Sequence, residues 1–175
     1  IPAEGDMTKA VSELGIRYVI CGVTQWQAIY RSPIRFAIKK RMRLKQIQRE
    51  LDELTELFRE EKIDIIHSNS SVIGTGAMLA ERLHCKHVWH IREFSKEHFN
   101  MHYFYSQNYV KKLYTKANAL IAISDALAVN YRNKYENANV IRIYDGVNEE
   151  TVSKENNADN FKRNYENRNT NYLCI

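Results

Sequence analysis

Four polar stretches hold many of the side chains able to do chemistry in this chain: His67-Ser68-Asn69-Ser70-Ser71, His90-Ile91-Arg92-Glu93-Phe94, Ser124-Asp125 and Asp145-Gly146-Val147-Asn148. Each follows an apolar run, and together they offer hydroxyls, amides, an imidazole, a guanidinium and carboxylates. Such groups bond hydroxyls or phosphate; they are also what any solvated, helix-capping loop contains. His90, Arg92 and Glu93 supply the parts for positioning a proton and stabilising an anion. Alternation puts His90 and Arg92 on one side if the strand continues that far. The plainer reading is a core-edge histidine beside an Arg92–Glu93 surface pair. The run Ser70-Ser71-Val72-Ile73-Gly74-Thr75-Gly76 enters a helix, and its free amides and the helix dipole can hold a phosphate or carboxylate. Capping by Ser70 or Ser71 explains the same residues. Gly74-Thr75-Gly76 lacks the third glycine of a dinucleotide fingerprint.

All six histidines fall between His67 and His102. His84, His87 and His90, with Cys85 among them, have a metal-like spacing, but strand neighbours three apart face opposite ways, so His87 and His90 do not share an ion. His98 and His102 are four apart on a possible helix, with no third ligand beside them. No metal site is assigned.

Positioning these residues requires strands that end where the polar stretches begin. The runs Ile16–Cys21, Ile63–His67, His87–Ile91, Ala119–Ile123 and Val140–Tyr144 read as mostly buried parallel strands. Helical stretches separate them. Asp6 to Leu14 reads as a short helix with Asp6 as N-cap and Gly15 as C-cap. Ile47, Leu51, Leu54 and Phe58 form an apolar stripe within a long helix over roughly 34–62. Gly76 to His84 and Tyr103 to Lys116 read as helical, and Ser124-Asp125 caps a helix from Ala126 to about Tyr135. The alternation predicts an α/β fold, a Rossmann-like doubly wound parallel sheet in three αβα layers. Such a sheet normally opens on a strand, and Ile1-Pro2 reads as the end of one lying upstream. The segment from Glu149 to Asn171 is crowded with asparagine and reads as a linker. The expected division is therefore a domain over 1–148, then 149–175 as linker and the start of a further domain. The 175 residues read as half of a longer protein.

Composition sets the remaining bounds. Hydrophobic residues make up 44% and charged residues 27%, enough to bury a core. The net charge is +5, but eight cations and no acid lie from Arg31 to Arg49, leaving 18 basic and 21 acidic residues elsewhere. The chain is a slightly acidic domain with one basic stretch. The cations sit at the amino-terminal part of the long helix and the acids Glu50 to Glu61 at its carboxyl end, both against the dipole. Such a stretch reads either as a solvated helix face or, with Phe36, Ile38 and Met42 among the cations, as a surface for an anionic membrane. Nucleic acid is not expected, since no binding motif surrounds the patch. Cys21, Cys85 and Cys174 are odd in number and widely spaced, which fits a reducing, cytoplasmic setting; the basic stretch adds the expectation of a peripheral place at the inner face of the plasma membrane. No apolar run approaches a membrane span.

The order Ile63-Asp64-Ile65-Ile66-His67-Ser68-Asn69-Ser70-Ser71, Leu79-Ala80-Glu81-Arg82-Leu83, His87-Val88-Trp89-His90-Ile91-Arg92-Glu93-Phe94, Leu120-Ile121-Ala122-Ile123-Ser124-Asp125 and Val140 to Asn148 resembles the amino-terminal half of a family-4 retaining glycosyltransferase. The resemblance covers roughly 1–148, and the Ile-Arg-Glu-Phe variant is similar to members that build bacterial capsular and cell-surface polysaccharides. It implies the GT-B architecture and transfer of a sugar from a nucleotide-sugar to a glycan or lipid-linked acceptor, with retention and no required metal or cofactor. It implies that this half holds mainly the acceptor and does not turn over alone. It places His90 near the reacting centre as the catalytic candidate, Gly5 at a turn beside the donor phosphates, and Ser124 after its strand. Asn69, Ser70, Ser71, Arg92 and Glu93 complete the candidate substrate contacts. Two departures stand out: Asn69 replaces the second histidine of the family's His-Ser-His, and Asp145-Gly146-Val147-Asn148 replaces Asn-Gly-Val-Asp. Glu53 and Glu61 match the spacing of the family's donor-binding glutamates but lie in the wrong domain. Tyr172-Leu173-Cys174-Ile175 reads as the opening strand of the donor half. The rival readings are a GT-B sugar-nucleotide epimerase, which needs acid/base carboxylates in the cleft, and a non-enzymatic α/β binding module.

Overall fold

The computed structural model describes residues 3–94, 99–146 and 172–174. The chain divides into two compact units, Ile1–Gly22 with Asp145–Thr170, and Val23–Tyr144 with Asn171–Ile175.

In the first unit, α1 spans Asp6–Glu13. Its N-cap is Gly5 rather than the expected Asp6. The Thr8 hydroxyl explains the shift: it donates to the Gly5 carbonyl at 2.7 Å and accepts the Gly5 N–H at 3.0 Å. Gly15 lies just beyond the helix with φ +67°, the left-handed geometry that favours glycine. The expected strand Ile16–Cys21 is not one. After Gly15 the Ile16 N–H returns to the Val11 carbonyl at 2.9 Å, and Ile16 and Ile20 are about half exposed. β-propensity without a ladder to join leaves a run irregular. Ile1 and Pro2 lie outside the described residues.

The second unit carries β1 (Gln27–Ile29), α2 (Pro33–Phe58), β2 (Ile65–Asn69), α3 (Thr75–Leu83), β3 (Lys86–Ile91), β4 (Met101–Tyr103), α4 (Gln107–Lys116), β5 (Ala119–Ala122), α5 (Asp125–Lys134), β6 (Val140–Arg142) and β7 (Tyr172–Cys174). The parallel sheet has the order β6-β5-β3-β2-β7. This is the expected mixed α/β, Rossmann-like fold, a parallel sheet flanked by helices. From β2 to β6 the strands step in one direction, so right-handed crossovers lay α3, α4 and α5 on a single face. Parity fixes which residues meet them: Ile66 and Ser68 of β2, Trp89 and Ile91 of β3, and Leu120 and Ala122 of β5 are all fully buried. Tyr114 of α4 stacks on Trp89 at 4.4 Å, and Tyr131 of α5 meets Tyr114 edge-on at 5.6 Å. Gly76 lets α3 approach closely, because a Cβ there would collide with the Ser68 hydroxyl. α2 packs on α3, burying Ile47, Leu51, Leu54 and Phe58, the stripe expected from their spacing.

Other departures are local. α2 ends at Phe58 rather than near 62, and α4 starts at Gln107 because Ser106 caps it, its Oγ accepting the Tyr109 N–H at 3.3 Å. Tyr103 instead joins β4, which pairs antiparallel with β1 in a two-stranded ribbon. Tyr172–Cys174 is a strand, but where it was expected to open a further domain it runs parallel to β2 at the edge of this same sheet, within the second unit. The asparagine-rich linker and Val147-Asn148 lie outside the described residues.

Candidate functional site

In open parallel sheets ligands bind at the carboxyl ends of strands. Here β2 ends at Asn69, which is exposed and lies in register with His90 on β3. His90 and His67 point to the sheet face opposite Trp89, where their rings stack at 5.8 Å and 14°. Both are only partly buried. Burial, and then the neighbouring His90, hold the His67 pKa below its ordinary value. His87 is one parity step away and behaves differently. It is 5% exposed, its Nε2 lies 2.9 Å from the Ser68 hydroxyl, and burial presses its pKa down to about 4. His87 and His90 thus face opposite sides of β3.

The loop after β2 turns its donors to a side chain of its own protein rather than leaving them open to a ligand. Glu93 Oε1 accepts from the Ser71 N–H at 2.6 Å, the Ser71 hydroxyl at 2.7 Å and the Ser70 hydroxyl at 2.8 Å. Ser71 is fully buried, and its carbonyl accepts the indole N–H of Trp26 at 2.9 Å. The Ser70 carbonyl accepts the Trp89 indole N–H at 2.8 Å. Gly74 seats the Trp26 ring, which a Cβ there would strike, so these glycines serve close packing. Ser70, Ser71 and Glu93 are therefore brought together as one latch that ties the exit of β3 to the exit of β2.

Arg92 follows the last residue of β3 and is exposed, so strand alternation stops before it. Ser124 caps α5, its Oγ accepting the Leu127 N–H at 3.2 Å. Beside it, Asp125 accepts from Arg142 Nε at 3.0 Å and from the Tyr144 hydroxyl at 2.7 Å, while the Arg142 guanidinium lies 4.2 Å over the Tyr144 ring. Gly5 belongs to the other unit, where it caps α1 and is exposed. His98 lies outside the described residues. Among the described residues no group of three His, Cys, Asp or Glu is placed to hold a metal, and no helix is long and apolar enough to cross a membrane.

Sequence reasoning missed two parts of this site. The His67–His90 stack needs the β2–β3 register, although equal parity at the ends of neighbouring strands was a usable signal. The role of Trp26 as a prop under the Ser71 loop had no signal, since its partner lies 45 residues away.

A family model described as Glycosyltransferase Family 4 matches residues 6–151. Searches of curated proteins and of solved structures each gave no match.

Proposed function

From the premise that this chain belongs to Glycosyltransferase Family 4, we propose that it is the acceptor-side domain of a retaining glycosyltransferase of polysaccharide biosynthesis. The donor is a nucleotide-sugar, the acceptor is a glycan or lipid-linked glycan, and no cofactor is assigned. The enzyme works on the cytoplasmic side of the membrane. The observation that carries the reading is His90: a part-exposed imidazole at the carboxyl end of a parallel strand, in register with Asn69, on a sheet whose family transfers sugars.

In this reading His90 sits beside the reacting centre, and Asn69 and Arg92 hold acceptor hydroxyls or charge. Ser70, Ser71 and Glu93 position that edge by fixing the loop, and Ser124 orients the start of α5. The donor contact at Gly5 rests on the resemblance. Transfer is favoured over epimerisation because two of the carboxylates at these exits are engaged: Glu93 by three donors, Asp125 by Arg142 and Tyr144. An epimerase needs such groups available for proton transfer.

The test uses full-length protein with a nucleotide-sugar, with and without acceptor. A new glycan that forms only with acceptor supports transfer; an epimerised donor without acceptor overturns it. His90→Ala is expected to lower turnover by about a hundredfold or more while leaving the unfolding midpoint in place. Unchanged turnover removes His90 from its role.

A further inference from the structure

The basic stretch does more than charge a helix. At the head of α2, Arg31, Arg35 and Lys39 border a pocket of about 420 Å³ whose wall includes Ile29, Phe36 and Met101. Among the described residues that line it there is no acidic side chain, and Gln25 is the uncharged polar one. A water-soluble phosphate or sugar would need hydrogen-bonding groups on several sides. A lining that combines three cations with apolar side chains instead suits a phosphate ester that carries a hydrocarbon chain.

The adjoining surface of α2 has the same character. Ile34, Ile38 and Met42 recur every four residues and are 75%, 58% and 67% exposed. Nine residues of helix separate Ile38 from the buried Ile47, a rotation of about 900°, so the stripe points roughly opposite the core. On the helical wheel Arg41 lies on one flank and Arg35 and Lys39 on the other, while Lys45 and Arg49 continue the stripe's own line. Three large apolar side chains held in water between cations are costly for a purely solvated helix face. The first turn carries no acid and the last no base, so helix stability does not explain this charge order.

We propose that the first half of α2 lies on an anionic bilayer and that the pocket at its head seats the phosphate of one lipid, with its chain against Ile29, Phe36 and Met101. The proposal rests on the transferase reading for its purpose, since it would hold the enzyme where a lipid-linked acceptor resides. Its evidence is the charge and apolarity of this surface.

The test is co-sedimentation of the full-length protein with vesicles of phosphatidylcholine, with and without phosphatidylglycerol. Binding is expected only with the anionic lipid. Reversing two charges of the pocket, Arg35→Glu with Lys39→Glu, is expected to weaken binding at least about tenfold. The same charge change on the same face but outside the pocket, Arg41→Glu with Lys45→Glu, is expected to cost clearly less. Circular dichroism checks that both pairs fold. Indifference to anionic lipid, or equal losses from the two pairs, overturns the seated lipid. Displacement from vesicles by glycerol phosphate also overturns it, by showing a site for soluble phosphate. Turnover is measured separately: vesicle binding without any sugar transfer would sink the transferase reading alone, and transfer without vesicle binding would sink this one alone.

Discussion

His87 and His90 stand three residues apart on one strand and live in different media. His87 faces the helix-covered side, 5% exposed, with its ring T-shaped to Trp89 at 5.1 Å and its Nε2 on the Ser68 hydroxyl. His90 faces the other side, part-exposed and stacked on His67. The chemistry of the side chain is the same; parity decides what it can do. A neutral imidazole sealed beneath helices is a packing element, whereas one at an accessible strand end is available to a ligand. The difference teaches that a cluster of histidines in sequence is two unrelated sites once folded. If the comparison is right, substitutions on the helix side should change stability, and those on the other face should change chemistry or titration.

The largest stability effect should come from Trp89, which anchors the covered face. It is fully buried, stacks on Tyr114, and donates its indole N–H to the Ser70 carbonyl. Trp89→Ala should cost about 4 kcal/mol, from lost burial and the cavity left behind. Urea denaturation followed by circular dichroism measures it. A loss below about 1 kcal/mol would mean that this face is not the dry side of the sheet.

His87 gives the next effect, read by pH. Its folded pKa is about 4 against an ordinary 6.5, so the unfolded chain binds the proton more readily between these values. The stability held by the neutral ring is therefore fully present above about pH 6.5 and falls as the pH drops toward about 4. The difference corresponds to about 3 kcal/mol. His67, also lowered by burial, adds in the same direction. Unfolding midpoints at about pH 7 and about pH 4.5 should differ markedly in the natural chain and much less in His87→Gln. Equal slopes in the two proteins would place the acid sensitivity elsewhere and remove the contrast between the two histidines.

What was legible beforehand follows the same physics. The strands Ile65–Asn69, Lys86–Ile91, Ala119–Ala122 and Val140–Arg142 came from short apolar runs, and the buried stripe of α2 from spacing alone, because both signals are local. The opposed faces of His87 and His90 also followed from alternation. The ribbon of β1 and β4 did not, since Gln27 pairs with Tyr103 across most of the domain and three-residue strands carry no period. Ile16–Cys21 has strand propensity yet forms no ladder among the described residues. The loop after β2 offers donors that suit either an anion or a helix cap, and in the fold those of Ser70 and Ser71 go to Glu93, which a sequence presents only as a neighbour of Arg92. Local chemistry was readable; the partners of that chemistry needed the register.

The smallest expected effect tests the open face directly. Two causes lower the His67 pKa, burial first and the charge of His90 second. A like charge on a neighbouring ring disfavours protonation, so removing it should let the pKa rise. In His90→Asn the His67 ring should titrate at higher pH than in the natural chain, yet still below an unperturbed histidine, because burial persists. NMR titration of the imidazole protons reads the change. The split matters more than its size. A full return to the ordinary value would mean that His67 is held down by charge alone and that this face is as open as solvent. No movement at all would mean that the two rings are not neighbours, and the site built on the β2–β3 register would lose the geometry that places His90 beside Asn69.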